Sequence, residues 1–217
     1  MKTILGIDEA GRGSVIGPMT IAGLMIDSKD EFKLKELGVK DSKLLTKVQR
    51  EFMFDKIKDI AKDYVILSIS ASEIDELRKI TNLNKIEGKK MAEIIKTLNP
   101  DVAILDAPQV STDKFKHFVQ SLIKNNTKII SENSADLNYP VCAGASILAK
   151  VTRDREVEEI KKKVDFDFGV GYPHDEKSIE FVKKCLKEKK NLKYLRHSWV
   201  TVSELVKEKE QKRLEEF

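Results

Sequence analysis

The feature that most constrains how this chain can fold is a short apolar segment near its start that ends in two acids. Strand-forming residues run from Thr3 to Ile7, and Asp8 and Glu9 follow at once. A strand with apolar sides is normally buried, and a carboxylate at its end must be solvated, paired or bound to a metal, because burying an unpaired charge is costly. The segment therefore predicts a buried strand over residues 3–8 with a functional group at its end.

Two later segments carry acids in similar places. Residues 101–106 form a second short apolar strand that ends in Asp106, and Pro108 stops it. A further strand is predicted over residues 127–131, followed by a polar, loop-like stretch over residues 132–138, around Asp136. The carboxyl ends of parallel strands meet at one edge of a sheet, so we expect these acids to lie near Asp8.

Several carboxylates that lie this close cannot all stay ionised without a cation. Oxygen ligands without nearby His or Cys favour Mg²⁺ or Mn²⁺ over Zn²⁺. Two such ions, about 4 Å apart, would suit the hydrolysis of a phosphodiester. One geometric condition applies: neighbours in a regular strand point to opposite faces, so Asp8 and Glu9 can share a site only if the strand ends or bulges there.

The order of the predicted elements gives the fold class. Strands alternate with helices through residue 163, with a long helix predicted over residues 141–163. Two further helical stretches follow, at about 175–189 and 200–214. We therefore predict an α/β catalytic core over residues 1–163 and a helical C-terminal subdomain over residues 164–217.

Other classes of protein fit the sequence less well. A second strand, over residues 19–26, follows the loop that contains Gly11 and Gly13, whereas a dinucleotide-binding loop requires a helix there. Cys142 and Cys185 lack the spacing of a zinc site. No apolar run approaches the roughly 20 residues of a membrane span, and no secretory signal is present, so we expect a soluble cytoplasmic protein. Its net charge of +4 permits a polyanionic partner.

Six segments of the chain together resemble type 2 ribonuclease H (ribonuclease HII) in its archaeal single-chain form. They are GIDEAGRGSVIGP, DSKLL, LDAP, the SAD that ends at Asp136, ASILAKVTRD and GVGYPHD. Matches occur in the family's order from residue 4 to about residue 201 and cover most of the chain. The resemblance implies a ribonuclease H-like mixed sheet flanked by helices, with a C-terminal helical region that closes over the substrate.

The resemblance also implies an activity. Members of this family use Mg²⁺ or Mn²⁺ to cleave the RNA strand of RNA/DNA hybrids. They also cut on the 5′ side of single ribonucleotides embedded in duplex DNA, leaving 3′-hydroxyl and 5′-phosphate ends. The family's four catalytic and metal-binding carboxylates fall on Asp8, Glu9, Asp106 and Asp136, the acids that the strand pattern had singled out.

The family's substrate-binding residues fall on further positions. The ribose-recognition loop is Gly11-Arg12-Gly13, and the ribose-recognition tyrosine is Tyr172. Glycine lets a backbone approach a sugar closely, and a tyrosine hydroxyl can join the hydrogen bonds of a 2′-hydroxyl. Three basic residues are predicted to contact phosphates without reading sequence: Lys43, Lys150 and Arg153.

The end of the chain resembles the motif with which replication enzymes bind the sliding clamp. Gln211, Leu214 and Phe217 have the spacing Gln-x-x-aliphatic-x-x-aromatic. In a short 3₁₀ turn, residues three apart share one side, so Leu214 and Phe217 could enter one apolar pocket. The usual motif has a second aromatic residue, and the alternative is a helix end with incidental spacing.

Two other functions stay open at this point. The first is a different carboxylate-metal enzyme of similar fold, such as a resolvase or exonuclease, which would not need a ribose-recognition loop. The second is a non-catalytic nucleic-acid-binding subunit, which would not need four intact carboxylates. A monomer is the default expectation for the oligomeric state.

Overall fold

The computed structural model describes residues 2–39, 45–108 and 111–215, without the side chains of residues 209, 210 and 212–215. Lys43 and Phe217, two of the predicted binding residues, lie outside the described residues. No helix in the described ranges is both long and apolar enough to cross a membrane.

A five-stranded sheet forms the centre of the fold, with the strand order β3-β2-β1-β4-β5. The strands are β1 (Thr3–Ala10), β2 (Met19–Asp27), β3 (Asp63–Ile69), β4 (Val102–Asp106) and β5 (Lys128–Glu132). β1 pairs with β2 in antiparallel orientation and with β4 in parallel orientation, and β4 pairs with β5 in parallel. The predicted mixed sheet is confirmed, and the carboxyl ends of β1, β4 and β5 lie at the same edge.

Helices flank this sheet; some lie between its strands in the chain and the others follow the last strand. They are α1 (Glu31–Glu36), α2 (Lys47–Ile60), α3 (Ala71–Arg78), α4 (Leu83–Leu98), α5 (Thr112–Leu122), α6 (Ala135–Asn138), α7 (Pro140–Val164), α8 (Glu176–Glu188) and α9 (Val200–Glu215). The long helix predicted over residues 141–163 is confirmed by α7. The loop predicted over residues 132–138 is wrong in part, because it contains α6, a helix too short to show a hydrophobic period.

The chain divides into two compact units that are not continuous in sequence. The first contains residues 1–10, 20–68 and 82–152, and the second contains residues 11–19, 69–81 and 153–217. Each unit has its own cluster of buried apolar side chains. The predicted division into residues 1–163 and 164–217 was a division by function, into a catalytic core and a substrate-closing region. The compact units are defined by packing alone, so the functional division stays a prediction.

The core of the first unit places α7 directly on the sheet. At Gly6 in β1, an added Cβ atom would lie only 2.5 Å from the backbone nitrogen of Cys142, so this close contact requires glycine. The apolar face of the sheet, which includes Leu24 and Ile104, packs against residues of α7 such as Leu148. This contact fixes the start of α7 beneath the centre of β1.

Candidate active site

Asp8 and Asp106 lie side by side at the ends of two parallel strands. The last paired residues of β1 and β4 are Ile7 and Leu105, so the two acids follow at the same level. Residues two apart in a strand share a face, and Asp8 is therefore on the face of Gly6, which α7 covers. Asp8 is buried, with 6% of its surface exposed. The predicted meeting of these two acids is confirmed.

A third acid, Asp136, reaches this region on α6. The backbone N–H of Ala135 donates a hydrogen bond to Oδ1 of Asp106 at 3.2 Å, which ties the first turn of α6 to the end of β4. Ser134 just before the helix has a left-handed backbone, with φ of 56°, so the chain turns sharply into α6. Asp136 is 6% exposed. The turn and the hydrogen bond explain why an acid from outside the sheet is buried beside it.

The thiol of Cys142 is influenced by the charges of all three acids. Its pKa is raised well above the usual value, mainly by burial and next by the negative charge of Asp8, with smaller contributions from Asp106 and Asp136. The thiol lies 3.4 Å from the backbone oxygen of Ile104, to which it donates a hydrogen bond. Cys142 therefore stays a neutral thiol, and Asp8, Asp106 and Asp136 all act on it electrostatically.

The charge of Asp8 is costly in this setting. Burial is the main cause that raises the pKa of Asp8 from 3.8 to about 6; the nearby Ser146 hydroxyl lowers it, and the charge of Asp106 raises it further. The backbone N–H of Glu9 donates to Oδ1 of Asp8 at 2.7 Å and also lowers the pKa, as does the positive charge of Lys150. These partners compensate the buried carboxylate only in part, since the pKa stays raised.

The chemistry of these donors fits a hard divalent cation. All three acids supply oxygen ligands, and the sulfur of Cys142 belongs to a thiol that stays protonated. Among the described residues, no three His, Cys, Asp or Glu side chains lie close enough together to hold a metal ion as they stand. A shared ion would therefore have to draw the carboxylates of Asp8, Asp106 and Asp136 together.

Glu9 does not meet the condition for sharing a site with Asp8. β1 neither ends nor bulges at Asp8, because regular pairing with β2 continues from Asp8 through Ala10. Side chains of neighbouring residues in such a strand point to opposite faces, so the Glu9 side chain leaves β1 on the face away from Asp8. The strand predicted to end at residue 8 is two residues longer in the structure.

The Gly11-Arg12-Gly13 loop belongs to the second unit. Gly11 has φ of 79°, a conformation that favours glycine, and its carbonyl accepts hydrogen bonds from the backbone N–H and the hydroxyl of Ser14. The ring of Tyr172 lies beside the loop, since a Cβ atom added to Gly13 would be 3.8 Å from its Cε1. The structure therefore brings the predicted ribose-recognition loop and tyrosine together.

The predicted phosphate-binding residues are placed differently from one another. Lys150 is half-buried and acts on the carboxylate of Asp8. Arg153 is 4% exposed; its Nη2 donates to the carbonyl of Val170 at 3.0 Å, and its guanidinium lies 4.9 Å from the centre of the Tyr172 ring. The burial of Arg153 indicates a structural role inside the second unit.

One buried arginine beside the loop was not predicted from the sequence. Arg196 is fully buried, and its Nη1 and Nε donate to the carbonyls of Arg12 and Gly17 at 2.9 and 3.1 Å. A charged residue directly after the apolar Leu195 was the only signal for it. Its partners lie more than 170 positions earlier in the chain, where no local pattern could indicate them.

Comparison with known protein sequences points to one family. A sequence model described as Ribonuclease HII matches residues 5–202. Ribonuclease HII from Methanococcus maripaludis (strain C6) is 45% identical over 219 residues, which cover 98% of this chain and 91% of that protein.

Two solved structures are similar over nearly the whole chain. The crystal structure of ribonuclease H2 from Pyrococcus horikoshii OT3 has a TM-score of 0.88 and 36% identity, covering 95% of this chain and 98% of that one. A structure of the PCNA:RNase HII complex from Archaeoglobus fulgidus has a TM-score of 0.85 and 36% identity, covering 91% of this chain and 95% of that one.

Proposed function

The chain belongs to the ribonuclease HII family, and from that premise we propose that it cuts duplex DNA on the 5′ side of a single embedded ribonucleotide. Like the family, it is a divalent-metal-dependent endonuclease that hydrolyses the RNA strand of RNA/DNA hybrids. The proposed products carry 3′-hydroxyl and 5′-phosphate ends. The observation that best supports the proposal is that Asp8 and Asp106 follow neighbouring parallel strands at the same level, with the helix that carries Asp136 hydrogen-bonded to Asp106.

The proposed metal ligands are three of the four predicted carboxylates. Asp8, Asp106 and Asp136 would hold two Mg²⁺ or Mn²⁺ ions when substrate is bound. Two bound ions supply activation of the attacking water and stabilisation of the leaving oxygen in an in-line displacement. Until then, the positive charge of Lys150 and the N–H of Glu9 partly offset the charge of Asp8. The neutral Cys142 thiol adds no competing negative charge, since its pKa is raised.

Glu9 has a different place in the proposed site. Its backbone N–H supports Asp8, whereas its side chain leaves the opposite face of β1. The Glu9 carboxylate therefore starts from the other side of β1 than that of Asp8. We therefore propose that Glu9 completes the catalytic set after substrate and metal have bound, and that its removal costs less than removal of Asp8.

Recognition of the ribose is assigned to the second unit. The Gly11-Arg12-Gly13 loop would place its backbone against the sugar, and the hydroxyl of Tyr172 would contact the 2′-hydroxyl, the group that distinguishes RNA from DNA. Gly13 is exposed and lies beside the Tyr172 ring, which supports close approach of a sugar to this part of the loop. Lys43 and Lys150 remain the proposed phosphate contacts, and neither would read sequence.

A three-substrate assay tests the proposed function. The substrates are an RNA/DNA hybrid, a DNA duplex with one ribonucleotide and an all-DNA duplex, each with Mg²⁺, with Mn²⁺ and with EDTA. We expect metal-dependent cleavage of the first two and no cleavage of the third, because only the first two carry a 2′-hydroxyl. Equal cleavage of all three would contradict ribose recognition and would favour an exonuclease or resolvase.

The C-terminal tail, residues 211–217, is proposed to bind a PCNA-type sliding clamp. Gln211 is exposed near the end of α9. The Archaeoglobus fulgidus relative has been solved as a complex with PCNA. A tail that supplies both an aliphatic and an aromatic side chain three residues apart could fill one apolar pocket of the clamp.

Replacing Phe217 by alanine should weaken binding to an archaeal PCNA by about 30-fold, the effect of removing an aromatic anchor from an interface. Isothermal titration calorimetry with the full chain would measure the dissociation constant. Glu216→Ala, next to the anchor but outside the motif, is the matched control and should bind as the unchanged protein does. Unchanged affinity in Phe217→Ala, or in a protein that lacks residues 211–217, would contradict clamp binding through this tail.

A further inference from the structure

Two fully or nearly fully buried arginines lie beneath the proposed ribose-recognition elements of the second unit. Arg196 donates to the carbonyls of Arg12 and Gly17, at both ends of the loop that starts with Gly11. Its guanidinium also lies 4.8 Å from the centre of the Trp199 ring. With 0% of its surface exposed, Arg196 has no access to a substrate and acts only through the loop.

Arg153 contacts the second proposed ribose-recognition element, Tyr172. Its guanidinium lies 4.9 Å from the centre of the Tyr172 ring, and its Nη2 donates to the carbonyl of Val170 at 3.0 Å. The same side chain passes directly against the Cα of Gly11, where an added Cβ atom would lie 2.5 Å from its Cδ. Arg153 therefore contacts the loop and the tyrosine at once.

Backbone hydrogen bonds join the segment that carries Tyr172 to the segment that follows the Gly11-Arg12-Gly13 loop. The carbonyl of Gly171 accepts from the N–H groups of Val15 and Ile16 at 2.8 and 3.2 Å. An added Cβ atom at Gly171 would lie 3.3 Å from Nη2 of Arg153. Gly171, the residue just before Tyr172, is therefore hydrogen-bonded through its carbonyl to the residues after the loop, and its Cα packs against Arg153.

We propose that Arg153 and Arg196 are positioning residues for ribose selectivity: they fix the distance between the Gly11-Arg12-Gly13 loop and Tyr172 without touching the substrate. The inference rests on the proposed function, because it assumes that these two elements bind the ribose. For Arg153, it replaces the phosphate contact that the sequence predicted. A planar guanidinium with several fixed donors can hold two carbonyls or a ring and a carbonyl, whereas a lysine ammonium cannot reproduce this geometry.

The spacing matters because the selected feature is one hydroxyl group. A shift of about 1 Å in a positioning group can cost about a hundred-fold in rate, and the same small shift would separate a tyrosine hydroxyl from its partner. Contacts with DNA phosphates elsewhere on the protein do not depend on this spacing. Loss of either arginine should therefore weaken ribose selectivity while affinity for DNA is kept.

The test compares binding of two duplexes by the full chain. In an Asp106→Asn background with Mg²⁺, fluorescence anisotropy gives the dissociation constants for an all-DNA duplex and for the same duplex with one ribonucleotide. The selectivity is the dissociation constant for the all-DNA duplex divided by that for the duplex with one ribonucleotide. It does not depend on the folded fraction of the preparation, because the same molecules bind both duplexes. This protects the test if a variant is partly unfolded.

We expect Arg196→Lys and Arg153→Lys each to lower this ratio by about ten-fold or more, with the all-DNA constant unchanged. Arg78→Lys is the control for Arg196, because the Arg78 guanidinium also lies over Trp199, at 4.7 Å, but is exposed. Arg155→Lys is the control for Arg153, as an exposed arginine of the same helix, α7. Both controls should keep the ratio.

The outcomes separate this inference from the proposed function. A ratio retained in either lysine variant would overturn the positioning role of that arginine, while ribose recognition itself would stand. A ratio of one in the parent protein would overturn ribose recognition and, with it, this inference. If Arg78→Lys and Arg155→Lys lowered the ratio as well, the effect would be general to arginine-to-lysine changes, and the positioning role would also be overturned.

Discussion

Asp106→Asn is expected to lower the single-turnover rate of hybrid cleavage by about a thousand-fold or more while substrate binding survives. The substitution keeps the size of the side chain and its ability to accept the hydrogen bond from Ala135. It removes one negative charge from the proposed metal ligands, so the affinity for divalent ions and the activation of water should both fall.

Asp101, at the opposite end of β4 from Asp106, provides a matched control. Asp101 directly precedes β4, and its carboxylate accepts hydrogen bonds from the N–H and hydroxyl of Thr3. Asp101→Asn makes the same chemical change at the amino end of the strand and should leave the cleavage rate unchanged. A rate near that of the unchanged protein in Asp106→Asn would show that the metal site lies elsewhere.

Asp8→Asn is expected to abolish cleavage and, without metal, to stabilise the fold. Burial and the neighbouring Asp106 raise the pKa of Asp8 from 3.8 to about 6, so the folded protein binds a proton that the unfolded chain has released. Above pH 6 the folded protein carries the full cost of the buried charge, about 2 to 3 kcal/mol. An asparagine has no charge to bury and can still accept the N–H of Glu9.

The sign of the pH dependence follows from proton binding. Between pH 3.8 and about 6 the folded state holds more protons at Asp8 than the unfolded state does, so the contribution of Asp8 to stability falls as the pH rises through this window. Urea unfolding in EDTA at several pH values measures it. The gain in Asp8→Asn should be full at pH 7 and should vanish below pH 3.8.

The stabilisation has an informative control and a clear contrary result. The pKa of Asp101 is lowered, first by hydrogen bonds from Thr3, so Asp101→Asn should decrease stability at neutral pH and thus act with the opposite sign. Mg²⁺ should stabilise the unchanged protein more than Asp8→Asn. An Asp8→Asn protein less stable than the unchanged one at pH 7 in EDTA would contradict the account of a buried, poorly compensated carboxylate.

The sequence predicted the parts of the site that local patterns encode. An apolar run that ends in an acid indicated both Asp8 and Asp106, and parallel pairing placed the two at the same level. Asp136 was found as an acid after a strand and matched to the family, but its short helix was not predicted. Four residues are too few to show a helical period, and a tertiary hydrogen bond from Ala135 holds that helix in place.

Other features depended on contacts that a sequence does not reveal. The pairing of β1 with β2 continues through Ala10, and this extension decides on which face Glu9 leaves the strand. Arg196 bonds to the carbonyl of Arg12, which is 184 positions away. The second unit gathers residues 11–19 and 69–81 with the C-terminal part of the chain, so its composition could not be predicted from chain order.

The most direct test of the central claim is the identity of the ends produced from a DNA duplex with one ribonucleotide in Mg²⁺. Mass spectrometry of the two fragments measures the cleavage position and the chemistry of each end. Attack by a metal-activated water on the 5′ side predicts a DNA fragment with a 3′-hydroxyl and a ribonucleotide-bearing fragment with a 5′-phosphate. A 2′,3′-cyclic phosphate, with cleavage on the 3′ side, would show attack by the ribose hydroxyl itself and would contradict it.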